Sequence, residues 1–428
     1  MTTAAASNPT RSRWGLVVAA VLLQLALGAV YSWSVFSKAL QASGSDFGLS
    51  KSAAAVPFSV TIGMIFIGTF IGGRLQDSRG PRTVALTGGV IYAIGVLLAG
   101  LAGGGQFWLV VLGYGVIAGF GLGLAYIVPI AMLQKWFPDH RGLITGIAVG
   151  GFGFGAVITS PVAQKLVAHY AAVPTRSFLW LGIAYLIMAI VGASFFRNPP
   201  AGYTVPGWTQ PERAAAATGQ KDYSLSEALR SPQWYMLTLV LTLNVTAGIA
   251  LISVAAAAAS DIAGYTAAAA ASLVGIMGLF NGGGRVFWGW VSTHIGRMTA
   301  FMCMLGIQAV CFFLLPHAAS AALFAVLAAL VYLCYGGGFG TMPATAGDFY
   351  GLRNAGAVYG LMIVGWSIGG VVGPLLVAAL INGKSYTTAF TTIGIIAAVA
   401  LVLPLMIRPR KEASAAAPIS AEVRPATS

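Results

Sequence analysis

Apolar residues run through the chain in twelve long stretches separated by short polar links. The stretches lie near 14–37, 53–75, 83–103, 107–135, 142–168, 177–196, 232–260, 268–292, 298–317, 319–347, 355–382 and 387–407. Each is about 20 residues or longer, enough for a helix to cross a hydrocarbon layer. Only a helix or a closed barrel satisfies its own backbone there, and runs this continuous predict helices. The first stretch is too long for a cleaved leader, and eleven more follow it. The longest link, 197–231, is polar, contains a helix-start signal at Ser224–Glu227, and divides the spans six and six. The expected organisation is an N-terminal segment 1–13, a six-helix bundle 14–196, a linker 197–231, a second six-helix bundle 232–407 and a tail 408–428. The tail is rich in Ala, Ser and Pro, which predicts disorder.

Composition supports the membrane reading. Charged residues make up 8% of the 428 and hydrophobic ones 58%, whereas a soluble domain carries about 25% charged residues. The 56 glycines suit helices packed closely in a membrane. Cys303, Cys311 and Cys334 all fall in apolar runs, so neither a disulfide framework nor a metal site is expected. The glycine clusters Gly113–Gly123, Gly146–Gly155 and Gly360–Gly373 lack the Lys-Ser/Thr ending of a phosphate loop, and no cofactor is expected.

The net charge of +13 is placed by topology, not by nucleic acid. Numbering the links alternately puts 17 of the 23 Lys and Arg residues on the side of the two termini. The other side carries Lys38, Lys51, Lys165, Arg176 and Lys384. An excess of Lys and Arg marks the cytoplasmic side, so both termini are expected in the cytoplasm. An even number of spans requires them to share a side.

The two bundles echo each other. The link after span 2 reads Gly73-Arg-Leu-Gln-Asp77-Ser78-Arg79-Gly80-Pro-Arg82, and the link after span 8 reads Gly289-Trp-Val-Ser-Thr293-His-Ile-Gly296-Arg297. Pro129 late in span 4 is matched by Pro343 late in span 10. Transporters are built from such repeats, with substrate held near the midplane between them.

The Gly73–Arg82 loop resembles the signature of the major facilitator superfamily, a Gly-x-x-x-Asp followed by basic residues and Gly. That resemblance implies a latch of Gly73, Asp77, Arg79, Gly80 and Arg82, with Asp77 meeting a helix N-terminus and the arginines pairing across the cytoplasmic face. Ser78 stands where a basic residue is usual. Thr293 replaces the acid in the second copy, so a latch there around Arg297 is expected to be weaker. Tyr31-Ser32-Trp33, the Trp136–Gly142 link and above all Phe280-Asn281-Gly-Gly-Gly-Arg285-Val-Phe-Trp-Gly289 resemble the oxalate/formate antiporter family, which includes bacterial lactate transporters. The fold implied is two pseudo-symmetric six-helix bundles in a bacterial inner membrane, working as a monomer.

Arg285 is the one charge at membrane depth. A buried charge in a bilayer is expensive and marks a pathway, and the guanidinium fork matches a carboxylate. None of the ten Asp and Glu residues falls at mid-membrane to pair with it. Asn281 lies one turn earlier on the same helical face. Tyr31, Tyr126, Phe152, Tyr335, Phe339 and Trp366 are each expected at mid-span, where the resemblance implies an aromatic-walled substrate pocket. For each, ordinary helix packing is the alternative. Oxalate carriers of the family have a second cation, a Lys on helix 11. Here Trp366 takes that position, which argues for a substrate with one carboxylate.

The expected function is transport of lactate- or pyruvate-like anions with a proton or a counter-anion. An oxalate/formate-type exchanger and a membrane ligand sensor are the alternatives. An enzyme is not expected, since no His, Asp or Cys cluster lies at membrane depth. Asp261, near the outer end of span 7, is the candidate proton carrier or a gate partner for Lys38 or Lys384, with a solvated loop charge as the alternative. His140, His169, His294 and His317 fall in links.

Overall fold

The structure, a computed structural model, describes residues 9–200, 202–205, 207, 222–381 and 385–408. The expected tail beyond Arg408 and part of the linker lie outside the described residues, as does Lys384. Among the described residues twelve long helices follow one another: α1 (Arg13–Leu40), α2 (Lys51–Arg79), α3 (Pro81–Gly100), α4 (Phe107–Trp136), α5 (Arg141–His169), α6 (Pro174–Ser194), α7 (Pro232–Ala263), α8 (Ala267–Ile295), α9 (Arg297–Leu314), α10 (Ala321–Tyr350), α11 (Ala355–Leu380) and α12 (Thr387–Met406). Eleven are long and apolar enough to cross a membrane by length and composition. The twelfth, α8, is 29 residues long, with an apolar first half followed by Asn281, Gly282–Gly284 and Arg285.

The helix ends fall within a few residues of the apolar runs. Ser50, Thr266 and Ser320 cap α2, α8 and α10 with side chains that accept from the backbone three residues on, as short polar residues do at helix starts. The linker re-enters through Leu225–Leu229, a short helix opened by a capping box of Ser224 and Glu227. Gly80 and Gly296 have φ of 85° and 90°, which glycine adopts without strain. They turn the chain sharply between α2 and α3 and between α8 and α9, so the echo between the two links is structural as well.

Within the first half, α3 and α4 cross glycine to glycine. A Cβ on Gly113 would lie 2.7 Å from both the Ala99 nitrogen and the Gly95 oxygen. Tyr92 stacks on Tyr185 at 5.6 Å and donates to the Ala26 carbonyl at 3.1 Å, tying α3 to α6 and α1. In the second half a buried amide pair does similar work. Asn244 on α7 donates to Gln308 Oε1 and to the Cys334 carbonyl at 3.3 and 3.2 Å.

The two halves meet along α5 with α8 and α2 with α11. These contacts are closest at the end of the molecule that carries the linker, called the linker face below. Gly73 abuts the Gly356 carbonyl there. At the pseudo-equivalent crossing, a Cβ on Gly289 would stand 2.6 Å from the Gly142 oxygen.

Candidate functional site

Three helices converge on Arg285 because glycines let them. A Cβ on Gly340 of α10 would lie 2.7 Å from the Arg285 carbonyl carbon, and one on Gly153 of α5 would lie 3.2 Å from Arg285 Nε. Any side chain at either place would displace α10 or the guanidinium. The site is also where two helices depart from regular winding. The α-helical course of α1 is interrupted by a 3-10 turn at Ala29–Ser32, which contains Tyr31. Helix α11 breaks at Ile363, between Ala355–Met362 and Val364–Leu380, three residues before Trp366.

Arg285 is 1% exposed. Its Nε donates to Asn281 Oδ1 at 3.3 Å, its Nη1 to the Val149 carbonyl at 3.4 Å and its Nη2 to the Tyr31 hydroxyl at 3.4 Å. All three exceed the usual 2.7–3.2 Å range for N–H···O bonds. Among the described residues no carboxylate meets the guanidinium. Its Cζ lies 4.7 Å from the Phe339 ring centroid and 5.5 Å from that of Phe152, so cation–π attraction supplies part of the missing compensation.

All eight residues singled out as substrate-binding form one cluster. The Tyr31 hydroxyl lies 3.5 Å from that of Tyr335. Phe152 packs edge-on to Tyr31 and Tyr126 at 5.3 and 5.0 Å, and to Trp366 at 6.0 Å. Phe339 packs edge-on to Tyr335 and Trp366 at 5.4 and 5.3 Å. The first half thus contributes from α1, α4 and α5, and the second from α8, α10 and α11. The Tyr126 hydroxyl and the Trp366 indole N–H are buried with no hydrogen-bond partner of ordinary geometry. Buried polar groups are normally satisfied, so donors left over around an unpaired cation mark a place that an anion would complete.

At the linker face, Asp77 Oδ2 accepts from the Ala357 backbone N–H at 3.0 Å. It thereby caps the first turn of α11, where a carboxylate is favoured by the helix dipole. Lys135 Nζ lies 3.5 Å from Asp77 Oδ1. Arg79 and Arg82, expected to pair across this face, are instead exposed and form no ion pair among the described residues. The cross-half pair is Arg141 with Asp348, at 3.4 Å, and Arg297 Nε reaches the other Asp348 oxygen at 2.9 Å. Arg297 also donates to Ser292 at 2.6 Å. The second copy has therefore exchanged the acid at Thr293 for one at Asp348.

The profile described as Major Facilitator Superfamily matches residues 20–362 and 242–428. The chain belongs to the major facilitator superfamily. The transporter is similar to the oxalate:formate antiporter of Oxalobacter formigenes, with 27% identity over 403 residues covering 93% of this chain and 92% of the relative. It is similar to monocarboxylate transporter 13 of Rattus norvegicus, with 27% identity over 401 residues covering 91% and 87%. Its fold matches that of FucP, the E. coli fucose:proton symporter, solved in the outward conformation. There the TM-score is 0.67 at 17% identity, covering 91% of this chain and 97% of that one.

Asp261 is not part of the transporter's central cluster. It lies exposed in the last turn of α7 and accepts from the Tyr386 hydroxyl at 2.9 Å. Burial and the neighbouring Asp261 carboxylate push Tyr386 up to about 12, so this phenol stays protonated and donating at neutral pH. Of the histidines, His169 and His294 fall in the last turns of α5 and α8 rather than in links, and His140 lies 3.6 Å from Asp139.

Sequence reasoning missed three contributors. Tyr359 places a buried hydroxyl without an ordinary partner on α11. A mid-span Tyr is the same signal that marked Tyr126. The Val149 carbonyl is a backbone acceptor and leaves no trace in residue type. Asp348 was set aside as an acid away from mid-membrane, yet it is the one acid near the end of span 10, between basic links.

Proposed function

We propose that the transporter moves small monocarboxylates of the lactate and pyruvate class across the bacterial inner membrane by alternating access, with the carboxylate docked on Arg285. The observation that carries this reading is a buried guanidinium without a carboxylate partner among the described residues, enclosed by aromatic side chains from both halves. A bound carboxylate would take the guanidinium fork in bidentate fashion. Asn281, Tyr126 and Tyr335 would take the remaining substrate oxygens. The anion removes the penalty of an unpaired buried charge, which makes the closed, loaded state accessible. Because the wall is shared between halves, the same event favours their rocking together.

Trp366 stands where the resembled oxalate carriers keep a Lys. A single cation does not neutralise a dianion, and the Phe152, Phe339 and Trp366 rings make the enclosure largely apolar. The likeness to an oxalate:formate antiporter and a monocarboxylate transporter supports an organic anion as substrate. The distribution of Lys and Arg supports cytoplasmic termini, and the complete cluster within one chain supports action as a monomer.

The test is uptake into reconstituted vesicles, with a panel of small carboxylates competing against a labelled monocarboxylate. Arg285→Ala should abolish uptake, and Arg285→Lys, which keeps charge but loses the fork, should retain a fraction. Full uptake by the Ala variant would refute the site. Trp366→Lys should raise competition by oxalate if this position sets the charge of the substrate.

The placement of Asp261 outside the cluster favours a second reading of the coupling. Without a titratable acid beside Arg285, the empty transporter keeps an uncompensated cation and reorients slowly, which favours anion exchange over proton symport. Uptake driven by a pH gradient alone, in vesicles free of internal anion, would exclude obligatory exchange.

A further inference from the structure

A groove of about 640 Å³ runs down the outer surface of the first bundle between α1 and α6. Its walls are apolar: Leu16, Val18 and Leu22 on α1, and Val191 and Phe195 on α6. Val18 and Phe195 are 71% and 61% exposed, on helices that span the bilayer, so the wall is built to meet acyl chains. The groove ends at the linker face, and there two cations line it, Arg82 at the start of α3 and Arg197 just past α6. Both side chains are exposed. Arg197 also lies 6.0 Å over the Trp136 ring, and the Trp136 indole donates to its carbonyl at 2.7 Å, which fixes the backbone from which it projects. Arg82, expected in the latch, is directed to this surface instead.

We propose that this groove is a binding site for one anionic phospholipid, with an acyl chain between α1 and α6 and the phosphodiester headgroup on Arg82 and Arg197. The charge pattern selects the occupant. A zwitterionic lipid satisfies the apolar wall equally well but gains little from two guanidinium groups, whereas a headgroup with net negative charge gains from both. The depth is consistent with this, because the cations lie at the end of the apolar wall, where a headgroup meets water. Arg197 follows α6 directly, so an occupied site would pin the entry of the linker between the halves.

The test is native mass spectrometry of the full-length transporter, delipidated and then titrated with phosphatidylglycerol or with phosphatidylcholine of the same acyl chains. The wild type should retain phosphatidylglycerol preferentially. Each cation near a membrane surface contributes a factor of roughly fivefold. Arg82→Gln and Arg197→Gln should therefore each cut the preference by about that factor, and the double variant should nearly erase it. Gly15→Trp probes the chain independently, since a Cβ on Gly15, which also lines the groove, meets nothing within 4 Å. A bulky ring there should fill the groove and reduce retention of both lipids without disturbing the fold. Melting temperature in detergent without added lipid, unchanged in all variants, confirms that they are folded. Free glycerophosphate in millimolar excess should not displace the lipid; if it does, the groove contributes nothing and the proposal is overturned. Retention of the phosphatidylglycerol preference by the double arginine variant, or undiminished binding by Gly15→Trp, would overturn it equally.

Discussion

Replacing Gly289 by Ala should wedge open the linker face. A Cβ at this position would stand 2.6 Å from the Gly142 oxygen and 3.1 Å from the Gly146 Cα. Both are backbone atoms, so no rotamer change relieves the overlap. Carbon contacts are comfortable at about 3.5–4.0 Å, which requires α5 and α8 to part by roughly 1 Å at this level. Overpacking of this kind costs about 1–3 kcal/mol. The cost falls on the state in which these helix ends touch and not on one in which they have separated. The ratio of the two states should thus shift by roughly 5- to 150-fold. Spin labels at His140 and His294, placed at the linker-face ends of α5 and α8, would read this as a growing long-distance population. The native Cys303, Cys311 and Cys334 would be replaced first. Gly275→Ala is the control within the same helix, because its Cβ would meet nothing within 4 Å. An unchanged distance distribution in Gly289→Ala, or an equal shift in the control, would refute the reasoning.

Tyr126→Phe removes a buried hydroxyl that has no ordinary partner. It should leave the melting temperature unchanged or higher while weakening monocarboxylate binding by about fivefold, the worth of one hydrogen bond near 1 kcal/mol, as read by calorimetric titration. Asp77→Ala deletes the cap of α11 and the Lys135 pair. Loss of such a cap costs about 1 kcal/mol, so labels at Ser78 and Arg353 should show several-fold more of the separated state. Asp261→Asn should leave the pH dependence of uptake unaltered, because this carboxylate lies outside the cluster. A flattened pH profile would return proton coupling to Asp261.

The helices were legible because a bilayer leaves the chain so few options: apolar runs of spanning length become helices, and their ends follow the polar links. Arg285 was legible for the same reason, since a charge in such a run demands an explanation. The aromatic wall followed from the resemblance and from mid-span position, but its convergence was not encoded locally. Tyr31 faces Arg285 only because α1 loosens into a 3-10 turn at Ala29–Ser32, which no Pro announces. The latch residues were legible as types and not as partners. Asp77 reaches α11 as expected, whereas Arg82 turns to the outer surface and Arg141 takes up Asp348. Which cation meets which acid depends on how two halves dock, and that register is absent from either half alone.

The composition of α8 has a consequence for how the protein is made. Helix α8 brings Arg285, worth about 2.5–3.5 kcal/mol against insertion at a helix centre, together with Asn281 and three glycines. Its favourable partners are all elsewhere in the chain: the Val149 carbonyl on α5, Tyr31 on α1, and the Phe339 ring on α10, which is synthesised later. Helix α8 thus depends on its neighbours to shelter its charge within the membrane. Variants that weaken the wall around Arg285 should therefore show lower yields of inserted protein before any defect in transport can be measured.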